Sequence, residues 1–577
     1  MQPVDFTTLT AARAELLAEW VPAKIEQVYQ RDRYNLTICL RTLKKRGWMD
    51  ICWHPQAARI CIGDPPPRIP DTFTFSDQLR HQLKGLALIN LAYLAPWERV
   101  LDLQFAQRPG EIPLWHLYVE VMGKYSNVIL TDGNQTIVTT ARQISAKQSS
   151  VRPIQTGQPY EIPPPLTNTT PSLSESLSRW QERVNLVPGQ LARQLLKSYR
   201  GLSPNLARSL VRSANLDPEQ SNQSLSATDW EKLFQKWQEW LEILANSHFT
   251  PGWTTEGYTV LGWNVIQPTA NVSTLLNTYY NNEFNRQIFA QLHHQLQQKI
   301  ANLLQKQHQK AENFVSRLQE SDEADKYRQQ ADLLMAHLQA WEPGMKSITL
   351  SDFETGEPVK ITLNPEKNAV QNAQALYKRH QKLKRAQIAV KPLLREVKAE
   401  INYLEQVEDN LAQLSIYHRP EDLQTLEEIR DELSQQGYLD TSQQRSSRSD
   451  ESQPYRFQTP SGFELLIGRN NRQNDYLTFR TASDYDLWFH TQEIAGSHVL
   501  LRLDPGAVAS DRDLQFAADL TARYSRARQS EMVPVVYTEP KNVYKPKGAK
   551  PGMAIYKHER VLWGQPHRAN IYLNGDE

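Results

Sequence analysis

The sequence predicts a multidomain α+β protein on the strength of three observations. Its 577 residues exceed what one hydrophobic core usually organises. Both ends of the chain combine short apolar runs, typical of strands, with helical stretches. The middle holds two long stretches whose apolar residues recur every three or four positions, as in amphipathic helices. We therefore expect α+β domains at the two ends, with a helical domain and a long antiparallel coiled-coil arm with a small tip between them.

Residues 1–170 are predicted to form the α+β N-terminal domain. The apolar bursts Leu36–Leu40 and Met49–Trp53 indicate paired strands, and a further group of strands is expected between residues 99 and 139. A proline run at residues 163–165 then indicates the end of this domain.

Residues 171–270 have a helical pattern interrupted by turns that contain Gly and Pro. Ser203-Pro204 is a favourable helix start, because Ser caps the first turn and Pro fits the first helical position. The pattern favours a helix-hairpin-helix domain, whose turns present backbone N–H groups to phosphates. An ordinary helical bundle is the alternative interpretation.

The coiled-coil arm is expected over residues 271–436. Apolar stripes run along 289–318 in its first helix and along 394–414 in its second helix. Two strand-like runs and a turn lie between the helices, which predicts a small tip near residues 343–366.

Two segments follow the arm. A Ser- and Gln-rich stretch predicts a flexible linker over residues 437–454, because it has little apolar surface to bury. Residues 455–577 then alternate apolar runs with a helix expected at 513–528, a Lys-rich loop and two terminal strands. This pattern predicts a compact α+β C-terminal domain.

The composition is typical of a soluble protein of a reducing compartment. Hydrophobic residues make up 40% of the chain, charged residues 22%, and the mean hydropathy is -0.60. The N-terminus lacks the features of a signal peptide, so we expect cytoplasmic localisation and no membrane partner. Cys39, Cys52 and Cys61 lack the close spacing of structural zinc sites, so no metal is expected.

The formal net charge of +1 conceals two basic segments. Between Lys378 and Lys398 there are eight Lys or Arg residues against one acid, and between Arg523 and Lys550 seven against two. Such clusters create local positive fields that phosphates experience within a Debye length of roughly 8 Å. The candidate contacts of the predicted arm are Lys378, Arg379, Lys382, Lys384 and Arg385. Solvated helix faces and loops are the alternative interpretation.

Several motifs occur together in an order that resembles one known family. The N-terminal part contains Trp97-Glu98-Arg99-Val100 and the run Glu120-Val-Met-Gly-Lys-Tyr-Ser-Asn-Val-Ile-Leu130. The C-terminal part adds Gly468-Arg-Asn-Asn-Arg-Gln-Asn-Asp475, Asp486-Leu-Trp-Phe-His490, Gly496-Ser-His-Val499 and Lys547-Gly-Ala-Lys-Pro-Gly552. Over essentially the whole chain, the sequence resembles the NFACT family of ribosome quality-control proteins, in its bacterial form.

This resemblance implies an adaptor with no catalytic residues and no cofactor. A member of the family would bind a large ribosomal subunit that is obstructed by peptidyl-tRNA and would recruit alanine tRNA. The peptidyl-transferase centre of the ribosome would then add alanines to the stalled chain without a template, and the tail would mark it for degradation. The implied partners are peptidyl-tRNA on the large subunit, ribosomal RNA, alanine tRNA and a small RNA-binding quality-control cofactor.

The resemblance also implies candidate RNA contacts. Glu98 and Arg99 match an Asp-Arg pair that the family uses in tRNA handling, with the acid one methylene longer; a surface ion pair is the alternative. The predicted tRNA-binding residues are Glu98, Arg99, Glu120 and Lys124. The predicted RNA-binding residues of the C-terminal domain are Arg469, Arg472, Asn474, His490, His498, Lys541, Lys545, Lys547 and Lys550. We expect Trp488 to pack in the core and His498 to lie at the surface.

Two other classes of protein are weighed against this interpretation. The N-terminal and helix-hairpin-helix regions also resemble formamidopyrimidine-DNA glycosylases, but that chemistry needs an N-terminal proline nucleophile, and here Gln2 precedes Pro3. A fibronectin-binding surface adhesin is the other class. The missing export signal and the basic segments count against adhesion as the main role.

Overall fold

The computed structural model describes residues 1–66, 70–149, 151–164, 168–439 and 452–573. The chain divides into two compact units, Met1–Phe284 and Asn285–Glu577. The predicted mixture of helices and sheets is confirmed, including long helices in the middle of the chain and a sheet in its C-terminal part. The linker predicted at residues 437–454 lies mostly outside the described residues.

One antiparallel sheet of nine strands organises the first unit. Its strands are β1 (Ala23–Asp32), β2 (Asn35–Arg41), β3 (Arg46–Cys52), β4 (Arg59–Gly63), β5 (Ala87–Tyr93), β6 (Val100–Ala106), β7 (Trp115–Glu120), β8 (Asn127–Asp132) and β9 (Ile137–Thr140). They lie in the order β4-β3-β2-β1-β5-β6-β7-β8-β9. Only two residue pairs, Ala23↔Leu88 and Lys24↔Ala87, join β1 to β5, so a short ladder connects the two halves of the sheet. The strand groups expected from the sequence are confirmed.

Helix α1 (Phe6–Trp20) belongs to the main core of this unit, and the sequence pattern does not reveal it. Every residue from Phe6 to Ala12 is buried. The helix therefore lacks the exposed polar face that produces a 3.6-residue period. Its start is well defined, because an Asp5 carboxylate oxygen accepts a hydrogen bond from the Thr8 N–H at 2.8 Å.

The remaining elements of the unit are mostly helical. They are α2 (Thr74–Leu83), α3 (Leu177–Val184), α4 (Leu191–Ser198), α5 (Pro204–Ser213), α6 (Ala227–Asn246) and the short strands β10 (Gly252–Thr254), β11 (Gly257–Thr259) and β12 (Gln267–Pro268). The predicted helix start at Ser203-Pro204 is confirmed, since the Ser203 hydroxyl accepts from the Leu206 N–H at 3.1 Å. Trp180, Trp237 and Trp240 are fully buried between these helices.

Long helices dominate the middle of the chain. They are α7 (Val272–Asp322), α8 (Ala324–Ala336), α9 (Ala369–Gln413) and α10 (Pro420–Gln435), with the hairpin β13 (Ser347–Ser351) and β14 (Pro358–Thr362) between α8 and α9. The hairpin confirms the two strand-like runs. Helices α7, α9 and α10 share one core, to which Leu296, Leu404 and Ile429 belong.

The C-terminal part is a six-stranded antiparallel sheet packed against helices. Its elements are β15 (Tyr455–Gln458), β16 (Glu464–Ile467), α11 (Asn471–Tyr476), β17 (Leu487–Thr491), β18 (Val499–Leu501), α12 (Asp511–Arg523), β19 (Val533–Thr538), β20 (Val543–Tyr544), β21 (Ile555–Tyr556), β22 (Arg560–Gly564) and α13 (Pro566–Leu573). The strand order is β15-β16-β18-β17-β19-β22. The described chain ends in α13 rather than in the second of two terminal strands. Across the described ranges, no helix is both long and apolar enough to cross a bilayer.

Candidate nucleic-acid interface

The predicted tRNA contacts Glu98 and Arg99 lie in the loop that joins β5 to β6. Trp97, directly before them, has a φ of 62°, in the left-handed region that residues other than glycine rarely adopt. Such a conformation costs on the order of 1–3 kcal/mol and persists only where the surrounding structure holds it. Packing, rather than local backbone preference, therefore determines the shape of this loop.

The structure brings this loop beside the second predicted tRNA segment. Strand β6 pairs with β7 so that Val100 lies opposite Glu120. The Val121 N–H donates to the Arg99 carbonyl at 2.9 Å. Residues 98–99 and 120–124 therefore meet at one end of two adjacent strands.

The carboxylate of Glu98 faces a cation that the sequence analysis did not single out. Glu98 Oε1 lies 3.8 Å from Nη1 of Arg200, and only 10% of the Glu98 side chain is exposed. Arg200 is itself held in place, because its Nε donates to the Asn168 carbonyl at 2.7 Å. The Glu98 side chain therefore points inward, toward the connection between α4 and α5.

Arg99 is half-buried beside the start of α1. Its Nη1 lies 3.5 Å from the Val4 carbonyl oxygen. Burial lowers the pKa of the guanidinium, whereas the charges of Asp5 and Glu98 act in the opposite direction. An arginine pKa starts so high that the group stays cationic at neutral pH and can bind a phosphate in a bidentate manner.

Asp5 and Ser203 complete this junction, and they also escaped the sequence analysis as site residues. The Ser203 hydroxyl donates to the second Asp5 carboxylate oxygen at 2.6 Å. Asp5 caps the N-terminus of α1, and Ser203 caps the N-terminus of α5. Their pairing therefore ties two helix starts together next to Arg99. Only the N-cap pattern could have indicated either residue.

Glu120 is a structural residue in this conformation. None of its side chain is exposed. Its carboxylate accepts from Arg152 Nη1 at 3.1 Å and from the Tyr160 hydroxyl at 2.9 Å. Burial, followed by the Glu120 charge, holds the pKa of Tyr160 well above its usual range, so the phenol remains a donor. The Glu120 carboxylate is therefore not accessible to tRNA in this structure, and its predicted tRNA contact stays a prediction.

Lys124, by contrast, is exposed on the turn that follows β7. Its ammonium lies 5.0 Å from the centroid of the Tyr125 ring. Gly123 has a φ of 59°, and a side chain there would meet only the Pro55 carbonyl oxygen, at 3.7 Å. A tight turn therefore accounts for Gly123, while Lys124 remains a candidate for a phosphate contact.

In the C-terminal part, Arg469 is buried rather than exposed to solvent. Its Nη2 lies 2.5 Å from Asp422 Oδ1, and its guanidinium lies 4.7 Å from the centroid of the Tyr455 ring. Asn474 is also fully buried, and its Oδ1 accepts from the His498 N–H at 3.1 Å. Both side chains therefore pack inside the second unit in this structure, and their predicted RNA contacts stay predictions.

Arg472 and the neighbouring asparagine Asn471 lie on the same short helix, α11. Arg472 is half-buried, whereas Asn471 is buried and donates to Glu432 of α10 at 3.0 Å. The Asn410 amide of α9 donates to the Asn471 side-chain oxygen at 3.0 Å. The segment predicted to read RNA therefore joins α11 to the helices α9 and α10.

The rings of the two predicted histidines contact the Trp488 ring and each other. His490 is half-buried, with its ring stacked 5.7 Å from the Trp488 ring. His498 is only 2% exposed, so the expectation that it lies at the surface was wrong. The chain that follows Gly496 enters strand β18, which lies between β16 and β17 in the sheet. Trp488 is buried, as expected.

Buried polar groups hold the ring of His498 in place. The Thr478 hydroxyl, which accepts from the Trp488 indole N–H at 3.0 Å, lies 2.7 Å from His498 Nδ1. The Asn474 carbonyl oxygen lies 3.2 Å from the same nitrogen, and the Gly552 carbonyl is a further backbone acceptor for the ring.

We expect the C-terminal sheet to lose stability in acid through His498. Burial lowers its pKa to about 3, below the ordinary value of about 6.5 for an unfolded histidine. Between these values the unfolded chain binds one more proton, so the free energy of unfolding falls by about 1.4 kcal/mol per pH unit as the pH decreases. His498→Asn, whose amide does not titrate, should lower this slope by about 1.4 kcal/mol per pH unit in urea unfolding at pH 4.5 to 7, while His490, whose pKa burial lowers to about 4, keeps its own contribution. An equal slope in the variant would contradict the assignment.

The predicted lysines of the C-terminal loop differ in their partners. Lys541 lies 2.5 Å from Glu539, and Lys545 pairs with Asp475. Lys547 is exposed and makes no hydrogen bond or ion pair with any described residue. It is therefore the lysine of this loop most available to a phosphate.

Lys550 joins the loop to the long helices instead of projecting outward. Its ammonium contacts Glu400 and the Tyr438 hydroxyl. It also lies 4.7 Å from the centroid of the Tyr403 ring and 4.6 Å from that of Tyr438. Any part that Lys550 plays in RNA binding has to compete with these contacts.

The five predicted cations of α9 are all exposed. Arg379 lies 4.4 Å from the centroid of a tyrosine ring of α8, and Lys384 lies 3.4 Å from an aspartate of α8. Lys378, Lys382 and Arg385 recur at the spacing that places side chains on one helix face. These three provide charge-assisted donors for phosphate oxygens, which requires no proton transfer.

Two family models match the chain consecutively. The model of the NFACT N-terminal and middle domains matches residues 5–452, and that of the NFACT protein RNA binding domain matches residues 453–557. The first match alone covers more than half of the chain. The chain therefore belongs to the NFACT family.

Similar proteins extend this result along nearly the full length. A protein of Bacillus subtilis strain 168 named Rqc2 homolog RqcH is 28% identical over 571 residues, covering 96% of each chain. A Streptococcus pneumoniae D39 protein of the same name is 30% identical over 568 residues, covering 96% of this chain and 97% of its own. The solved C-terminal part of a fibronectin/fibrinogen-binding protein from Streptococcus suis is 33% identical, covers 48% of this chain and 95% of its own, and has a TM-score of 0.37.

Proposed function

We propose that this protein is a ribosome quality-control factor of the bacterial type. It binds large ribosomal subunits obstructed by peptidyl-tRNA, recruits alanine tRNA and directs template-free alanine tailing of stalled nascent chains. The observation that carries the proposal is similarity over 96% of the chain to proteins named Rqc2 homolog RqcH, including the RNA-binding domain.

The proposal makes the protein an adaptor that acts in the cytoplasm. The protein supplies positively charged side chains and a binding surface of suitable shape, while the peptidyl-transferase centre of the ribosome makes the peptide bonds. Exposed cations on separate elements, such as Lys124, Lys382 and Lys547, suit contacts with phosphates at several places on a large RNA particle. Ribosomal RNA and a small RNA-binding cofactor are the further partners.

The proposed division of labour follows the predicted domains. Residues 1–170 and 171–270 handle tRNA, the arm of residues 271–436 reaches across the subunit, and residues 455–577 bind RNA. The family models support the last boundary, because one match ends at residue 452 and the other begins at 453. Helices α7 and α9, of 51 and 45 residues, would span about 75 and 65 Å at 1.5 Å per residue.

Purification of the tagged full chain from cells with stalled translation tests the proposal. We expect it to sediment with large subunits and to carry small RNA enriched in alanine tRNA, and we expect mass spectrometry to find C-terminal alanines on nascent chains. A chain that migrates free of ribosomal particles and without small RNA would contradict the proposal.

We expect Lys547→Ala to weaken RNA binding through its phosphate contact. Removal of one such contact should reduce the slope of log K against log salt by about one unit or less. Lys541→Ala should reduce the slope less, because Glu539 already pairs with that ammonium at 2.5 Å in the same loop. Filter binding of total ribosomal RNA over a salt series measures both slopes. If neither differs from that of the unmodified chain, the loop does not contact RNA.

A further inference from the structure

The ring of Trp97 anchors the loop that carries Glu98 and Arg99 through its contacts with other elements. The left-handed backbone of Trp97 is unfavourable for a tryptophan, so neighbouring contacts have to maintain it. The ring centroid lies 4.8 Å from that of Phe6 in α1 and 5.6 Å from that of Trp240 in α6. Aromatic side chains of two helices therefore pack against the Trp97 ring.

Gly201 also packs against the Trp97 ring. This glycine has a φ of +80° and lies in the connection between α4 and α5. A methyl group on Gly201 would lie 2.5 Å from Cε3 and 2.9 Å from Cζ3 of Trp97. The ring cannot move away easily, because Phe6 and Trp240 pack against it. A glycine at position 201 is thus required for the observed position of Trp97.

The same connection also contacts Glu98. Arg200, the neighbour of Gly201, lies 3.8 Å from the Glu98 carboxylate. Because each residue has only two soft backbone dihedrals, a shift of the Trp97 backbone displaces the two residues that follow it. Glu98 and Arg99 follow Trp97 directly, between this packed ring and the Arg99 carbonyl that the Val121 N–H holds at the end of β7.

We propose that Trp97 and Gly201 are positioning residues for tRNA binding, and that the connection between α4 and α5 controls the Glu98–Arg99 pair through this contact. This inference rests on the proposed function. Residues 199–201 would then affect tRNA binding without contacting RNA themselves.

Gly201→Ala tests the proposal against a matched control. Gly157 has a nearly equal φ of +82°, but a methyl group there would meet nothing within 4 Å. Gly157→Ala therefore introduces the same backbone strain without the ring contact. We expect Gly201→Ala to bind unfractionated tRNA at least tenfold more weakly than Gly157→Ala, while cosedimentation with purified large subunits stays within twofold. Equal tRNA affinity in the two variants would overturn the proposal.

Two further variants separate positioning from a general loss of structure. Trp97→Phe shortens the ring, so adding it to Gly201→Ala should restore tRNA affinity to that of Trp97→Phe alone. Trp97→Leu removes the ring without adding volume, and it should weaken tRNA binding even if Gly201→Ala folds poorly. Absence of rescue in the first case, or unchanged binding in the second, would overturn the proposal. If the unmodified chain binds no tRNA, the proposed function fails first.

Discussion

Replacing both Glu98 and Arg99 with alanine is expected to remove tRNA from the protein while leaving its association with large subunits intact. Arg99 is a half-buried cation at the end of a loop whose shape is set by packing, so its guanidinium is held in one place, which suits the phosphate contact that we propose. Hydrogen bonds to charged groups contribute about 1.5–3 kcal/mol each, which corresponds to a loss of roughly tenfold or more. Copurified tRNA and alanine tails should fall together, and subunit cosedimentation should change less than twofold.

The matched control for this variant is Arg212→Ala with Glu256→Ala. These residues form an Arg–Glu pair with a separation of 2.9 Å in the same unit, and both side chains are well exposed. Loss of an exposed pair is expected to have little effect on folding or binding. Alanine tails that persist in the Glu98 and Arg99 double variant would refute the role of the pair. Equal loss of tRNA in both double variants would mean that the loss is not specific to the Glu98–Arg99 pair.

Arg469→Ala is expected to destabilise the second unit strongly instead of simply weakening RNA binding. The Arg469 side chain is 1% exposed and that of its partner Asp422 is 7% exposed, with 2.5 Å between their charged atoms. Removal of one partner of a buried ion pair typically costs about 3–5 kcal/mol. The Asp422 carboxylate would keep Arg419 at 3.9 Å, but that side chain is 54% exposed and cannot replace the buried guanidinium. Urea unfolding should show this as a lower midpoint for the second unit.

Arg456→Ala provides the control for Arg469→Ala. Arg456 pairs with Glu464 at 3.0 Å in the same sheet, but the two side chains are 62% and 41% exposed. We expect its loss to change the free energy of unfolding by less than about 1 kcal/mol. If Arg469→Ala retains normal stability and loses RNA binding, Arg469 contacts RNA in another conformation of the protein.

The sequence predicted those elements whose signal is local. Strands β2 and β3, the hairpin β13–β14 and the start of α5 each follow from a short pattern of apolar, turn or capping residues. Helix α1 gave no such signal, because its neighbours bury it on nearly all sides. A helix that is surrounded in three dimensions needs no polar face, so its period disappears from the sequence.

The candidate site was predictable only in part. Trp97-Glu98-Arg99 and the run that begins at Glu120 were found as separate motifs, and pairing of β6 with β7 places them together. Arg200 and Gly201 carry no recognisable motif, because their importance comes from contacts with residues about one hundred positions away. Such contacts depend on the packing of the helices against the sheet.

The sequence by itself determined the family, the mixed class of fold and many of the helices and strands, although it missed α1 and α13. Motifs and hydrophobic periodicity are properties of short stretches of sequence. They can therefore be recognised without knowing which residues pack against those stretches. Only the tertiary structure decided which polar residues face solvent, so that Lys124 and Lys547 remain available while Glu120, Arg469 and His498 do not. Burial depends on distant segments that cover a side chain, and a buried charge is tolerated only where such a segment also brings its partner.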